Sequence, residues 1–142
     1  MSLRRKGREL ALQVLYQLDM SGETSARGLP AFTESFEASP KARDFAWELV
    51  RGVGERRAEL DEAVSTASDH WRLDRLARVD ANVIRIALYE MTTGLPLEIA
   101  INEAVEVARK YGTAESPAFV NGVLDAVSRR LGLPRGQAPA TA

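Results

Sequence analysis

The sequence predicts an all-α protein in which about six to seven helices form two small bundles within a single compact domain. Apolar residues recur at helical spacing through most of the chain, and no stretch shows sustained strand alternation. Cap residues, glycines and prolines stand where these apolar stretches begin and end. The chain has 142 residues, of which 45% are hydrophobic. This length suits one domain with its own core.

The first predicted helix carries one apolar stripe and ends at Ser21-Gly22. The stripe consists of Ala11, Val14, Leu15 and Leu18. Residues 22–40 are rich in Gly, Ser, Thr and Pro. Such a composition predicts a loop, which could include one short helix held in place by Phe32 and Phe36.

A second helix is predicted to begin near Pro40, with Ser39 as its cap. Gly52 and Gly54 mark either the end of this helix or a close helix crossing. The third helix should present one face made of Leu60, Ala63, Val64, Ala67 and Trp71. The two bundles would then join near residues 54–60.

Asp80 is predicted to cap a fourth helix from Ala81 to about Thr93. This helix is apolar nearly all round, which places it in the middle of the bundle. Gly94 and Pro96 end it.

The fifth helix is predicted over Leu97–Tyr111, with Gly112 in the C′ position. Its inward residues would be Ala100, Ile101, Ala104, Val105 and Ala108. Glu106 and Lys110 can pair on its outer face. Ser116-Pro117 then begins a sixth helix, as cap and first residue. Its apolar stripe would be Val120, Val123, Leu124, Val127 and Leu131.

Composition excludes several classes of protein and argues against catalysis. There is no cysteine and only one histidine, His70, so neither a thiolate site nor a multi-histidine metal site can form. No Gly-rich phosphate loop or arguable Ser-His-Asp order occurs. His70 is interpreted as a surface or helix-capping residue and not as a catalytic base. No cofactor is expected, and without a membrane span or signal peptide the expected compartment is the cytoplasm.

The net charge of −1 conceals a basic N-terminus. Arg4, Arg5, Lys6 and Arg8 all precede the first acid, Glu9. The remaining 15 basic and 20 acidic residues give the rest of the chain a charge of −5. An acidic body with a cationic arm is typical of nucleic-acid contact, although solvated helix ends often look the same.

One rim of the first helix combines cations with an aromatic ring. At 100° per residue, Arg5, Arg8, Leu12 and Tyr16 fall on one stripe, and Arg4 lies close to it. The core stripe lies alongside. Arginines that neutralise phosphates and a ring that stacks on unpaired bases are what single-stranded RNA binding requires. The alternative, that Tyr16 packs at the bundle edge and the arginines are merely solvated, is equally compatible with the pattern.

Lys110, Tyr111 and Phe119 form a second, weaker cluster. Phe119 stands just inside a predicted helix start, and helix N-termini present free N–H groups to anions. The pattern alone favours core packing for both rings.

Three stretches resemble the NusB family of transcription antitermination factors. They are RRKGRELALQVLY at 4–16, WRLDRLARVDANVIRIALYEM at 71–91 and PLEIAINEAVEVARKYGTAESPAFVNGVLD at 96–125. The resemblance covers nearly all of residues 3–131, so we expect a NusB-like RNA-binding domain over 1–131 and a flexible tail over 132–142. It implies a non-enzymatic role: binding of boxA single-stranded RNA in nascent, notably ribosomal, transcripts. The family acts with NusE, a small-subunit ribosomal protein, in the RNA polymerase antitermination complex.

The resemblance also implies roles for individual residues. The phosphate contacts would be Arg4, Arg5, Lys6 and Arg8. Tyr16 would lie on the RNA side, and Lys110, Glu115 and Phe119 would border the RNA. Phe119 would stack on a base, whereas Glu115 would set local geometry or limit affinity by repulsion.

The region facing NusE would include Arg75, Asp80 and Arg85, although Asp80 could be a helix cap alone or both. Some family members form homodimers, and the residues do not decide whether this chain does. NusB-like domains also occur as accessory parts of RNA methyltransferases. A protein-interaction module without an RNA role is therefore the main alternative.

Overall fold

The computed structural model describes residues 2–22, 39–68 and 70–133. Within these ranges the chain is all-helical, which confirms the predicted class. The helices are α1 (Leu3–Ser21), α2 (Pro40–Glu55), α3 (Arg57–Ala67), a short 3₁₀ helix (Leu73–Arg75), α4 (Arg78–Thr92), α5 (Leu97–Tyr111) and α6 (Ser116–Arg130). The predicted loop with Phe32 and Phe36 and most of the predicted tail lie outside the described residues.

Helix α4 lies at the centre of the fold, as its sequence predicted. It contacts α1, α2, α3, α5 and α6, and every residue from 81 to 88 is buried. The pairs α1–α2 and α5–α6 each pack closely together and against α4. A helix that is apolar nearly all round can bury its side chains on every side only in such a central position.

Two of the predicted helix ends have the expected chemistry. The Ser39 hydroxyl accepts a hydrogen bond from the Ala42 N–H at 3.2 Å, so Ser39 caps α2. Gly22 follows α1 with a φ of 76°, in the left-handed region. A serine that the sequence analysis did not single out, Ser2, caps α1 by accepting from the Arg5 N–H at 3.1 Å.

Gly52 and Gly54 have different roles: Gly52 lies at a close helix crossing, and Gly54 lies near a helix end. A Cβ atom on Gly52 would overlap the ring of Tyr89, so this glycine allows α2 and α4 to cross closely. Gly54 faces open space and lies beside the end of α2 at Glu55.

The N-terminal boundaries of two helices were predicted wrongly by a few residues. Asp80 is not the cap of α4 but its third residue, because the Ala77 carbonyl already accepts from the Ala81 N–H at 2.9 Å. Ser116 is the first residue of α6 and not its cap. Its hydroxyl instead accepts from the Thr113 N–H in the preceding turn.

Trp71 and Leu131 also depart from prediction. Trp71 lies beyond the end of α3 at Ala67, although its ring still packs against the core. Leu131 lies after α6 and is exposed.

The outer face and the end of α5 differ from prediction as well. Glu106 approaches Arg109, at 3.7 Å, and Lys110 binds Glu9 on α1. The nearly buried carboxylate of Glu9 has few competing water contacts, so it attracts the ammonium group more strongly than an exposed glutamate does. Gly112 has a φ of −95° and is not left-handed.

Candidate nucleic-acid interface

The N-terminal half of α1 is enclosed by other helices. Residues 7 to 12 are all buried, because α2, α4 and α5 contact α1 from different sides. On Gly7 a Cβ atom would lie 2.6 Å from the ring of Phe45, so α1 and α2 pack closely here. Charged side chains on this part of α1 must therefore find partners inside the protein.

Arg8 is held by two carboxylates from α4 and α5. Its Nε and Nη2 donate to the two carboxylate oxygens of Glu90 at 2.7 and 2.9 Å. Its Nη1 donates to Oε1 of Glu103 at 3.3 Å. The Arg8 side chain is 5% exposed. The predicted outward orientation of Arg8 is wrong, because the stripe that it shares with Leu12 faces the neighbouring helices.

Arg5 lies next to this buried pair and reaches the surface. Its Nε and Nη2 donate to Glu103 at 3.0 and 2.8 Å, and its side chain is 35% exposed. The hydrogen bond from Arg5, with the positive charges of Arg5 and Arg8, lowers the pKa of Glu103. The same bond raises the pKa of Arg5. Glu103 therefore stays ionised and the pair stays formed at neutral pH.

The other predicted α1 residues on the RNA side lie at the surface. Arg4 and Lys6 are exposed, and the Arg4 guanidinium lies over the Phe45 ring, 5.1 Å from its centroid. Lys6 has no ion pair with any residue in the described part of the chain. Tyr16 is 40% exposed, so solvent reaches its ring.

Lys110 and Tyr111 are joined to α1 by a buried glutamate. Glu9 accepts from Lys110 Nζ at 3.0 Å and from the Tyr111 hydroxyl at 3.1 Å. Gln13 donates to the same hydroxyl at 3.2 Å. The hydrogen bond to Glu9 raises the pKa of Lys110. Burial is the main cause that raises the pKa of Tyr111, and the negative charge of Glu9 adds to it.

These contacts bring the end of α5 beside the middle of α1. Tyr16 lies three residues after Gln13 and thus about one turn further along the same side of α1. Phe119 is half-buried and packs against the core. Glu115 is exposed and immediately precedes α6. The described residues therefore place the exposed ring of Tyr16 and the anchored Lys110 beside the α1–α5 contact. The cations Arg4 and Lys6 lie at the N-terminal end of the same helix, α1.

The three glutamates that organise this region were not predicted. The sequence analysis assigned no structural role to Glu9, Glu90 or Glu103. A signal was present for Glu90, because it lies between apolar residues of the helix that was predicted to be central. Glu9 directly follows the basic residues and gives no such signal. Glu103 gives no such signal, and only the position of α5 against α1 explains it.

A second charged cluster lies at the other end of α1. Arg85 donates to both oxygens of Asp61, at 2.8 and 3.1 Å, and to Oδ1 of Asn82 at 3.0 Å. Asp19 accepts from Asn82 at 2.9 Å and from Arg57 at 2.9 Å. Burial opposes ionisation of Asp19, but these hydrogen bonds and the nearby arginines hold its pKa below the usual value.

The cluster corrects one predicted partner contact. Arg85 is 2% exposed and its guanidinium is enclosed by Asp61 and Asn82, so it is not a surface residue. Arg75 is exposed, in the 3₁₀ helix. Asp80 is half-buried, and its Oδ1 atom is enclosed without a hydrogen-bond partner among the described residues.

The fold and this region define a small helical protein with a cationic and aromatic surface. Among the residues that the structure describes, no group of acids and histidine could hold a metal ion, and no helix there has the length and apolarity to cross a membrane. The model of the NusB family matches residues 5–129. The chain therefore belongs to the NusB family.

Similar proteins cover almost the whole chain. The transcription antitermination protein NusB of Anaeromyxobacter dehalogenans is 48% identical over 132 residues, covering 92% of this chain and 93% of that protein. A crystal form of Thermotoga maritima NusB has a TM-score of 0.77 and 33% identity, covering 89% and 90% of the two chains. A chain in the crystal structure of the antitermination factors NusB and NusE in complex with dsRNA has a TM-score of 0.78 and 25% identity, covering 92% and 98%.

Proposed function

We propose that this protein is a transcription antitermination factor that binds boxA single-stranded RNA in nascent, notably ribosomal, transcripts. It would act in the cytoplasm with NusE, as part of the RNA polymerase antitermination complex, and without catalysing a reaction. The similarity to antitermination proteins over 92% of the chain supports this role. So does the fold shared with a protein that was crystallised with NusE and RNA.

The observation that carries the RNA-binding part is the exposed ring of Tyr16 on the helix that also presents Arg4 and Lys6. An aromatic side chain that solvent reaches can stack on an unpaired base. Cations without an internal carboxylate partner can neutralise phosphates. The two groups lie on one helix, so a flexible polynucleotide can contact both.

The remaining predicted residues take more specific roles in this proposal. Arg5 contacts phosphate through the part of its guanidinium that Glu103 leaves free. Lys110 lies at the border with RNA and is oriented by Glu9. Phe119 offers the exposed part of its ring, and Glu115 limits how closely phosphate approaches. Arg8 takes part only indirectly, since its guanidinium is enclosed.

For NusE, the proposal retains Arg75 and Asp80 as contact residues. Arg85 serves a different purpose, because its buried pair with Asp61 fixes α4 against α3. Asp80 would contact NusE through Oδ2, because its Oδ1 is enclosed.

The test is a fluorescence anisotropy titration of the full chain, with and without purified NusE. Three labelled RNAs are compared: a boxA single strand, a scrambled strand, and the boxA strand annealed to its complement. We expect tightest binding to the boxA single strand in the presence of NusE. The affinity should fall with salt, with a log–log slope of about −0.7 for each neutralised phosphate.

Two results would contradict the proposal in different ways. Binding of NusE without detectable RNA binding by the pair would indicate a protein-interaction module. Equal affinity for boxA and scrambled strands would indicate an RNA-binding protein without the proposed sequence preference.

A further inference from the structure

A series of ion pairs runs from the core to the surface at the start of α1. Its four members, Glu90, Arg8, Glu103 and Arg5, have side chains that are 8%, 5%, 19% and 35% exposed. Each contact in the series joins two helices: α4 to α1, α1 to α5, and α5 back to α1. The outermost member, Arg5, is one of the predicted phosphate contacts.

The geometry of the last pair leaves one edge of Arg5 available. A guanidinium carries five N–H donors. Glu103 occupies the Nε donor and one donor on Nη2, so three donors remain: two on Nη1 and one on Nη2. One N–H of Nη1 and one N–H of Nη2 share the edge opposite Nε, which is suited to two parallel hydrogen bonds with a phosphate. The other N–H of Nη1 points back toward the Cδ side.

The carboxylate that holds Arg5 is itself held in place. Oε1 of Glu103 accepts from both Arg5 and Arg8. Arg8 cannot follow Arg5 if Arg5 moves, because Glu90 holds it through two hydrogen bonds in a buried position. Glu103 is thus a fixed support and not a mobile surface acid.

We propose that Glu103 is a positioning residue for RNA binding, which holds the free edge of the Arg5 guanidinium in the orientation that phosphate requires. This inference rests on the proposed function. An arginine that is already ordered loses less side-chain entropy when it binds. The charges of the four members sum to zero. Arg5 therefore contributes to RNA binding mainly through two oriented hydrogen-bond donors, and less through long-range attraction.

Other roles for Glu103 would have different effects on RNA binding and stability. If this carboxylate merely competed with phosphate for Arg5, its removal would strengthen RNA binding and make the salt dependence steeper. If Glu103 served folding alone, its removal would lower the melting temperature, and its effect on RNA affinity would not depend on whether Arg5 is present.

The test combines Glu103→Gln, Arg5→Lys and the double variant in anisotropy titrations with a labelled boxA single strand. Glutamine at position 103 keeps one acceptor oxygen but loses the second. Lysine at position 5 keeps the positive charge but loses the paired N–H donors of the guanidinium. We expect each single variant to bind roughly fivefold more weakly. The double variant should bind no more weakly than either, because both substitutions remove the same oriented edge.

The control is Glu106→Gln, which removes the same charge from an exposed position on the same helix, where Glu106 lies 3.7 Å from Arg109. We expect no loss of RNA affinity in this variant. A second measurement needs no RNA: the Arg5 Nε–H signal in an NMR spectrum should exchange slowly with water, and faster after Glu103→Gln. The Arg8 Nε–H signal should persist in both proteins, because Glu90 still holds it.

The outcomes separate this inference from the proposed function. Tighter RNA binding by Glu103→Gln, or an Arg5→Lys variant that binds normally, would overturn the positioning role while leaving RNA binding intact. Failure of the unsubstituted protein to bind any boxA strand, with or without NusE, would remove the proposed function and the inference together.

Discussion

The two ends of α1 carry charged clusters that each combine arginines with carboxylates but have different surroundings. At the N-terminal end the pairs lead outward from a buried glutamate to an exposed arginine, Arg5. At the C-terminal end Arg85 is the most buried member, as Arg8 is at the N-terminal end, and it lies between Asp61 and Asp19. With Arg57, which binds Asp19, this second cluster also has four charged side chains, and the charges of each cluster sum to zero.

What differs is the exposed charge. The N-terminal cluster exposes mainly Arg5, at 35%, whereas the C-terminal cluster exposes Arg57, at 42%, together with the carboxylate of Asp61, at 31%. Arg4 and Lys6 add two positive charges beside the N-terminal cluster, and a negatively charged polymer would meet a net positive surface there. The C-terminal cluster uses its buried arginine to hold α3 and α4 together. An arginine–carboxylate pair therefore does not reveal its role by composition, and burial decides between support and recognition.

The largest expected effect is on stability, at the C-terminal cluster. Arg85→Met removes the cation that Asp61 and Asp19 share. Asp61 is partly exposed and Asp19 keeps Arg57 and Asn82, so we expect a cost of about 2 kcal/mol of unfolding free energy, below that of a fully buried pair. Urea unfolding followed by circular dichroism measures it. Arg75→Met, at an exposed arginine, should change stability by less than about 0.5 kcal/mol. A loss below about 1 kcal/mol for Arg85→Met would show that Arg85 does not hold α3 and α4 together as described.

The next effect is on RNA binding, at the exposed ring. Tyr16→Ala should weaken binding of a boxA strand by about tenfold, because stacking contributes roughly 1–3 kcal/mol per base. Tyr16→Phe should bind normally, since the ring is retained. Met20→Ala, at another exposed apolar residue of α1, is the matched control. Equal losses in Tyr16→Ala and Met20→Ala would argue against stacking.

A smaller effect is expected on salt dependence. The double substitution Arg4→Ala and Lys6→Ala should flatten the log–log salt slope of RNA binding by up to about 1.4, or about 0.7 for each phosphate that is no longer neutralised. This pair is a cleaner test than one that includes Arg8, whose removal would disturb the core. Arg51→Ala, at an exposed arginine on α2, should leave the slope unchanged. An unchanged slope in the double variant would mean that RNA binds elsewhere.

The smallest effect is on acid stability, and it compares the two clusters directly. The pKa values of Asp19 and Glu103 are both lowered in the folded protein. Each therefore contributes stability that is present above its unfolded value, near pH 4, and is lost as the pH falls below it. Each such group contributes at most about 1.4 kcal/mol per pH unit in this window.

Substitution tells which cluster governs the acid response. Asp19→Asn and Glu103→Gln should each make stability less dependent on pH below about 4, as measured by urea unfolding at several pH values. Asp74→Asn, at an exposed acid beside Arg72, should not. If stability depended on pH as steeply in Asp19→Asn and Glu103→Gln as in the unsubstituted protein, neither cluster would govern the acid response.

Local sequence is sufficient to specify the class of fold, most helix boundaries and the family. Periodicity and cap residues are enough for these, because a helix is built from hydrogen bonds between residues four apart. Ser39 and Gly22 lie at their helix ends as predicted for that reason. The basic N-terminus and the stretches at 71–91 and 96–125 are likewise contiguous in the chain.

Which charges are free depends instead on how the helices pack. Arg5 and Arg8 are three positions apart, yet one reaches solvent and the other is buried, because Glu90 and Glu103 meet them from helices more than 80 residues away in sequence. No local pattern carries that information, since the energy of an ion pair depends on the distance between its charges and on their exposure to water. For the same reason Arg85, predicted to lie on a contact surface, is buried in the core.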